Sequence, residues 1–494
     1  MSEADKHHMY ACPGCNVFFL RVSNPTADAF KARPRCRASR VSSSFLNLWF
    51  YKPMCFTASC GREVECMVEL RRECLWEHVT PQLASPTVLA STIKVDVCVI
   101  GGGITGLSAA LKLLEKGKSV AVLEAHQVGH GGSGRNVGLV NAGTWIRPDD
   151  VEATLGTKVG ARLNQVLGDA PAQVFATINR LGIDCQARND GTLHMAHNAS
   201  GVADLQARHD QWKRRGADVE LLTGPQCQEY CGTDKISAAL LDRRAGTINP
   251  MGYTTGLAEA VQRLGGRLFQ NSAVIRLEKQ GSSWLVKTAD GMIVSDKVVI
   301  STGAYTEGDW SELQKNYFRG YYYQVASKPL VGAAADNVLK HGQGSWDTRT
   351  VLSSIRRDAD GRLLLGSLGR TDNKPTWFIK SWADRIQRHY FPQLGKIEWD
   401  MHWTGCIDFT PDHLMRLFEP VAGVVAVTGY NGRGNTTGTV VGKALADYLI
   451  DDLPEELPIP FSTMKPIQGA GLRSAFYESG FSLYHAGQCL RVVL

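Results

Sequence analysis

The stretch from Lys94 to Glu124 constrains the fold more than any other part of the chain. Lys94-Val-Asp-Val-Cys-Val-Ile100 is a short β-branched apolar run, the signature of a strand buried on both faces of a parallel sheet. Gly101-Gly-Gly-Ile-Thr-Gly106 follows without a spacer and supplies G-x-G-x-x-G. Apolar residues at helical spacing run from Leu107 to Lys116, and Gly117 is a C-terminal stop. A second strand, Ser119-Val-Ala-Val-Leu-Glu124, ends in an acid 23 residues after Gly101. Gly101 permits the tight turn, Gly103 lets the backbone approach a pyrophosphate, and Gly106 lets helix and strand pack closely. The helix beginning near Ile104 and Thr105 aims unpaired amides and the positive end of its dipole at the phosphates. Glu124, followed by Ala125, is placed to accept hydrogen bonds from ribose hydroxyls. Strand, glycines, helix, strand and acid in that order predict a dinucleotide-binding α/β unit.

The next segment favours a flavin over a nicotinamide. Gly129-His-Gly-Gly-Ser133-Gly134-Arg135-Asn136-Val-Gly138 is a second glycine-rich loop just after the acid, where a nicotinamide dehydrogenase runs on into its next helix. Small and hydrogen-bonding residues there suit a long FAD lying across the domain, with Ser133, Arg135 and Asn136 reaching its pyrophosphate or flavin edge.

These segments resemble the D-amino-acid oxidase-like family of FAD-dependent amine oxidoreductases. Ala245-Gly-Thr-Ile-Asn-Pro250 with Tyr253, then Val298–Ala304 with Thr302 and Gly303, fit the family in order. So do Trp403-Thr-Gly405 with Asp412, and Gly429-Tyr-Asn-Gly-Arg-Gly434 running on to Asn435 and Thr436. The resemblance implies α/β plus antiparallel β: a Rossmann-like, glutathione-reductase-like FAD domain interleaved with an antiparallel-sheet substrate domain. Its FAD domain is expected from residues 92–150, 246–312 and 403–460, and its substrate domain from 151–245 and 313–402. Residues 67–91 would be an N-terminal arm and 461–494 a C-terminal tail. The Val274 backbone should face the adenine, and Gly432, Gly434, Asn435 and Thr436 should lie beside the flavin. Short strands are expected at Ala273–Leu277, Trp284–Thr288, around Thr192–Met195 and around Arg362–Leu365, with a helix over Val202–Arg215.

Within the family, Asn136–Trp145, Gly344–Arg349 and Tyr484–Cys489 look like bacterial members that oxidise L-pipecolate to Δ1-piperideine-6-carboxylate in lysine degradation. A cyclic amino acid substrate and electron transfer to oxygen or a respiratory acceptor follow from that likeness. Other family chemistries remain open: γ-glutamylputrescine, sarcosine or glycine, or a D-amino acid. A reading from a different class is a non-catalytic, flavin-binding electron-carrier subunit.

Oxidising an amino acid calls for a cation on its carboxylate, best supplied by an arginine fork. Arg319, Arg349, Arg356 and Arg433 are the candidates, with Arg433 inside the glycine-rich Gly429–Gly434 loop. Glycine-oxidising members of the family carry a carboxylate-binding arginine shortly after Trp-x-Gly, whereas Ile407 stands near that place here. Tyr321 and Tyr323 alternate onto one face of Gly320-Tyr-Tyr-Tyr-Gln324 and are expected to supply an aromatic wall and a hydroxyl, with ordinary sheet packing as the competing reading. His402 is a candidate acid–base group. Lys328 is a candidate positive charge near the flavin.

The net charge of +6 divides unevenly: residues 1–66 hold nine Lys/Arg against five Asp/Glu and six of the 13 cysteines. That segment lacks helical or strand periodicity and is expected to be a non-native or unstructured extension, with translation starting at Met67. Cys12-Pro-Gly-Cys15 lacks a second ligand pair at finger-like spacing, so no metal site is expected. The rest of the chain is nearly charge-balanced, which argues against nucleic acid as a partner. A cytoplasmic location is expected, with peripheral association at the inner membrane face through the aromatic tail as an added option.

Overall fold

Two eight-stranded sheets carry the fold, and the glycine-rich segments sit at the strand ends of the first. The computed structural model describes residues 70–83, 87–307, 310–372 and 374–489, so the expected extension 1–66, its Cys12/Cys15 pair and the Met67 start lie outside the described residues. In the first sheet the strand order is Arg416–Val421, Val424–Thr428, Met292–Ile300, Thr92–Ile100, Val120–Leu123 and Arg267–Phe269. Thr92–Ile100 runs parallel to both neighbours, with Ile100 opposite Leu123 and Ile300. Its second half is buried, as a parallel strand covered on both faces requires. The hairpin Arg276–Gln280 and Ser283–Lys287 pairs onto Met292–Ile300. The strand expected from Ala273 starts only at Arg276, leaving 273–275 as an extended lead-in.

Helix Ile104–Glu115 leaves the first strand through the glycine turn and lies against helix Gly434–Asp451. Their contact is too close for side chains. A Cβ on Gly442 would stand 2.3 Å from the Thr105 carbonyl oxygen, and one on Gly438 2.8 Å from Thr105 Oγ1. The first turn of the helix is thus fixed by a segment more than 300 residues away in sequence.

The second sheet has the order Trp399–Phe409, Phe318–Pro329, Arg362–Leu368, Ser353–Arg357, Gly344–Asp347, Thr192–Met195, Ala238–Asp242 and Val219–Thr223. It is antiparallel except where Gly344–Asp347 meets Thr192–Met195. Residue 403, expected to open the third FAD-domain piece, lies within Trp399–Phe409, whose pairing with Phe318–Pro329 belongs to this second sheet. A helix Ala199–Arg214 takes the place expected for 202–215. The tail forms the helix Ala470–Cys489, which packs along Phe318–Pro329. None of the described helices is long and apolar enough to cross a membrane.

The arm enters the structure at Leu70. Trp76 of helix Leu75–Val79 is buried and donates its indole N–H to the Asn136 carbonyl at 2.9 Å, tying the arm to the second glycine-rich loop.

Candidate active site

A cavity of about 910 Å3 receives residues from both sheets. That is near the upper end of ordinary ligand pockets, roughly 300–1,000 Å3. At one end lie Gly101, Gly103, Ile104, Thr105, Glu124, Ala125 and Val274. Glu124 is half-buried, and its oxygens accept the amides of Gly102 at 2.7 Å and His126 at 2.9 Å. Burial raises its pKa, and those amides oppose the shift. The carboxylate is held rigidly, with lone pairs left for a diol. Helix Ile104–Glu115 has no side-chain cap from Gly103; the Ile104 amide donates to Ser133 Oγ at 3.0 Å. The amides of Thr105 and Gly106 find no acceptor among the described residues. Orphan amides at a helix start are what a pyrophosphate needs. A Cβ on Gly103 would come within 2.7 Å of Ser133 Oγ, so the backbone there must stay bare. The residues present therefore fit FAD.

The second loop is tied to the C-terminal loop. Asn136 lines the cavity, donates to Asn435 Oδ1 at 3.0 Å and accepts from Asn435 Nδ2 at 2.9 Å. Asp408, beneath Gly429–Gly434, accepts the amides of Gly429 at 2.6 Å and Tyr430 at 3.2 Å. Burial pushes its pKa up to about 7 against those two bonds.

At the substrate-sheet end Arg433 lies between two indoles, 5.8 Å from the Trp145 ring and 5.3 Å from the Trp346 ring. Its Nη1 donates to the Ala142 carbonyl at 3.1 Å. No carboxylate pairs with it among the described residues, and burial with the nearby Arg208 charge lowers its pKa to about 9. Arg349, also in the wall, is already committed: its Nη1 meets Asp347 at 2.6 Å and the Tyr390 hydroxyl at 2.5 Å. Arg208 is paired with Asp204 at 2.8 Å. His194 is half-buried in the cavity wall and stacked on Trp346 at 4.8 Å; burial and then the Arg208 and Arg433 charges hold its pKa well below the usual value.

Of the residues expected to touch FAD, Ser133, Thr302, Gly303, Gly432, Gly434 and Asn435 also line the cavity. Gly106, Gly134, Gly138 and Thr436 do not: they are close-approach or helix-packing positions behind it. A Cβ on Gly106 would meet the Gly101 carbonyl at 2.1 Å, and one on Gly138 the Arg356 guanidinium at 2.3 Å. Arg135, expected on the cofactor, instead donates to the His130 carbonyl at 2.8 Å and to Glu77 at 3.0 Å, because Glu77 of the arm offers it a carboxylate on the far side of the loop.

The expected substrate residues need larger corrections. Tyr322, not Tyr321 or Tyr323, faces the cavity, together with Gly320 and Gln324, so the alternation holds but the sheet presents its other face. Tyr321 sits under Arg370 at 4.2 Å, and Tyr323 packs edge-on against Trp382 and His485. His402 is buried outside the cavity wall, both ring nitrogens lack a partner among the described residues, and burial lowers its pKa to about 4. It lies four residues along the strand from Cys406, the first residue of that strand in the cavity wall, roughly 13 Å away at about 3.3 Å per residue. Arg356 is spent on the carbonyls of Val137, Gly138 and Ile248, and Arg319 on that of Thr306. Lys328 is on the surface, paired with Glu398 at 2.6 Å.

Trp145, Trp346, His194, Tyr322, Tyr305 and Asp408 were not singled out as site residues from the sequence, although Trp145 and Trp346 lie in two of the segments that carried the resemblance.

The profile of the FAD dependent oxidoreductase (DAO) family matches residues 96–448. The γ-glutamylputrescine oxidoreductase of Escherichia coli is 32% identical over 372 residues, covering 74% of this chain and 85% of that protein. The glycine oxidase of Geobacillus kaustophilus is 22% identical over 397 residues, covering 77% of this chain and 100% of that one. Among solved structures, L-proline dehydrogenase from P. horikoshii superposes with a TM-score of 0.59 at 19% identity over 74% of this chain and 95% of that chain. L-amino acid deaminase from Proteus myxofaciens gives 0.61 at 18% identity over 79% and 96%. With the glycine cradle, Glu124 and the match over most of its length, the chain belongs to the DAO family of FAD-dependent oxidoreductases.

Proposed function

We propose that this protein oxidises L-pipecolate to Δ1-piperideine-6-carboxylate, passing two electrons to bound FAD and from it to oxygen or a respiratory acceptor. The observation that carries the reading is the charge pairing around the substrate end of the cavity. Asp347 and Asp204 already have Arg349 and Arg208, whereas Arg433 has no carboxylate partner among the described residues and is flanked by Trp145 and Trp346. Arg433 is half-buried and faces the cavity, and a partly desolvated guanidinium without an anion suits a ligand that brings one. A compact apolar ring bearing a carboxylate suits it, because the indoles offer a ring-shaped wall and Arg433 a forked anchor. A polyamine without a carboxylate would instead want unpaired acids.

FAD, when bound, would supply the two-electron acceptor for this oxidation. In the substrate, a ring C–H bond and the N–H bond break, C=N forms, a hydride leaves for the acceptor and the amine proton for water. The chain's own work is orientation and exclusion of water. Arg433 fixes the carboxylate, which selects the far ring carbon for oxidation, and Tyr322 and Gln324 supply polar groups on the sheet side. Of the two sheets, we assign the first to the cofactor and the second to the substrate.

A second reading is oxidation of γ-glutamylputrescine, favoured by the 32% identity to the E. coli oxidoreductase of that name. That molecule also offers a carboxylate, but on a long flexible chain. The test is anaerobic reduction of the purified yellow protein by a panel of amines. L-pipecolate should bleach the flavin faster than sarcosine, glycine, D-amino acids or γ-glutamylputrescine. Bleaching by γ-glutamylputrescine without bleaching by L-pipecolate overturns the proposal, and turnover by the isolated protein excludes a carrier without a substrate of its own.

A further inference from the structure

The family match ends at residue 448, yet the cavity wall does not. Helix Ala470–Cys489 sends Tyr477 and Phe481 into that wall beside the strand residues Phe318 and Phe409. The four rings form one continuous ladder: Phe409 to Phe318 at 5.8 Å, Phe318 to Tyr477 at 5.3 Å with planes only 5° apart, and Tyr477 to Phe481 at 5.9 Å. Tyr477 is 40% exposed, whereas the rings on either side of it, Phe318 and Phe481, are 5% and 7% exposed, so Tyr477 stands at the solvent edge of this part of the cavity wall.

The helix is fastened in place at both ends. Ser474 Oγ accepts the Arg319 amide at 3.0 Å near its start, and the His485 ring bonds the Leu368 carbonyl at 2.8 Å near its end. Tyr323 and Trp382 pack edge-on against the same His485, at 5.6 and 6.0 Å. A segment merely covering the sheet would not need its cavity-facing positions filled by one aromatic stacked on a strand residue of the wall and a second packed against the first.

We propose that Tyr477 and Phe481 are specificity-determining residues, forming a rigid aromatic portal that admits compact amines and rejects extended ones. This deepens the assignment of a small cyclic substrate and rests on the same cavity. A fixed stack of flat rings narrows the passage without charge, so it discriminates by length and girth, and loss of one ring widens it.

The test uses the full-length, FAD-loaded protein and its Tyr477→Ala, Phe481→Ala and Phe481→Leu variants. kcat/KM is measured for a series of amines from compact (L-pipecolate, sarcosine) to extended (γ-glutamylputrescine). Leu472→Ala, on a side chain 79% exposed, is the control. The expected result is a fall of about tenfold or more in the ratio of compact to extended kcat/KM for the alanine variants. The change should lie mainly in KM for the extended amine, with Phe481→Leu intermediate and Leu472→Ala unchanged. The flavin spectrum and thermal midpoint report whether each variant is folded, and Tyr477→Ala, half-exposed, serves if Phe481→Ala does not fold. An unchanged ratio in folded variants overturns the portal. A wild type that ignores L-pipecolate but oxidises another compact amine defeats only the substrate assignment, because the ratio is then taken with that amine.

Discussion

Asn136 and Asn435 exchange side-chain hydrogen bonds across a sequence separation of 299 residues, at 3.0 and 2.9 Å. Each also bonds backbone: Asn136 takes the Gly138 amide at 2.7 Å and gives to the Gly132 carbonyl at 2.9 Å, while Asn435 gives to the Leu139 carbonyl at 2.9 Å. The pair joins the second glycine-rich loop to the start of helix Gly434–Asp451, tying two parts of the cavity wall to each other.

Removing either asparagine leaves buried backbone groups without partners, which costs about 1–3 kcal/mol per unsatisfied group. Asn136→Ala and Asn435→Ala should each lower the thermal midpoint and weaken FAD binding, and the double variant should lose clearly less than the sum. A double-mutant cycle on both readouts should return a coupling of about 0.5–3 kcal/mol. Additive losses would show that the exchange does not act as a unit.

Arg433→Ala should retain FAD and its yellow colour but lose about 100-fold or more in kcat/KM for a carboxylate-bearing amine, since truncating one member of a buried charge pair costs about 2–5 kcal/mol. Arg433→Lys should recover little of it, because an ammonium cannot reproduce the fork. Stopped-flow reduction with and without the substrate carboxylate checks this. An alanine variant as active as the parent would place the anchor elsewhere.

Gly106→Ala should be far more damaging than its one methyl suggests. The new Cβ would meet the Gly101 carbonyl at 2.1 Å and Ser301 Oγ at 2.6 Å, and the first of these is backbone that cannot rotate away. Overpacking of this kind costs about 1–3 kcal/mol or more. The variant should purify with little flavin, measured as the ratio of visible to ultraviolet absorbance.

His402 should leave the rate untouched and show itself in stability. Its pKa is lowered to about 4 by burial, from an ordinary value near 6.5, so the neutral ring is the form that fits. Its contribution is complete above pH 6.5 and is lost as pH falls through 4. His402→Gln should keep kcat/KM within about threefold near pH 8 and flatten the stability loss between pH 6.5 and 4, read by denaturant midpoints across pH. A rate collapse at pH 8 would return His402 to the chemistry.

The cofactor half of this protein was legible in the order of its residues because its determinants are local. Gly101, Gly103 and Gly106, the helix they open and Glu124 lie within about 23 residues, joined by the Gly101 amide to the Leu123 carbonyl and the Gly102 amide to the Glu124 carboxylate, and bare backbone can be read from glycine spacing. The substrate half was not. Which face of Gly320–Gln324 meets the cavity depends on how two sheets approach, and a period of two names the faces without choosing between them. Arg135, Arg349 and Arg356 look alike along the chain and are separated only by their partners: Glu77, Asp347 and three backbone carbonyls. Arg433 stands apart because the folded protein brings it no carboxylate among the described residues, and a charge balance of that kind exists only once distant segments have met.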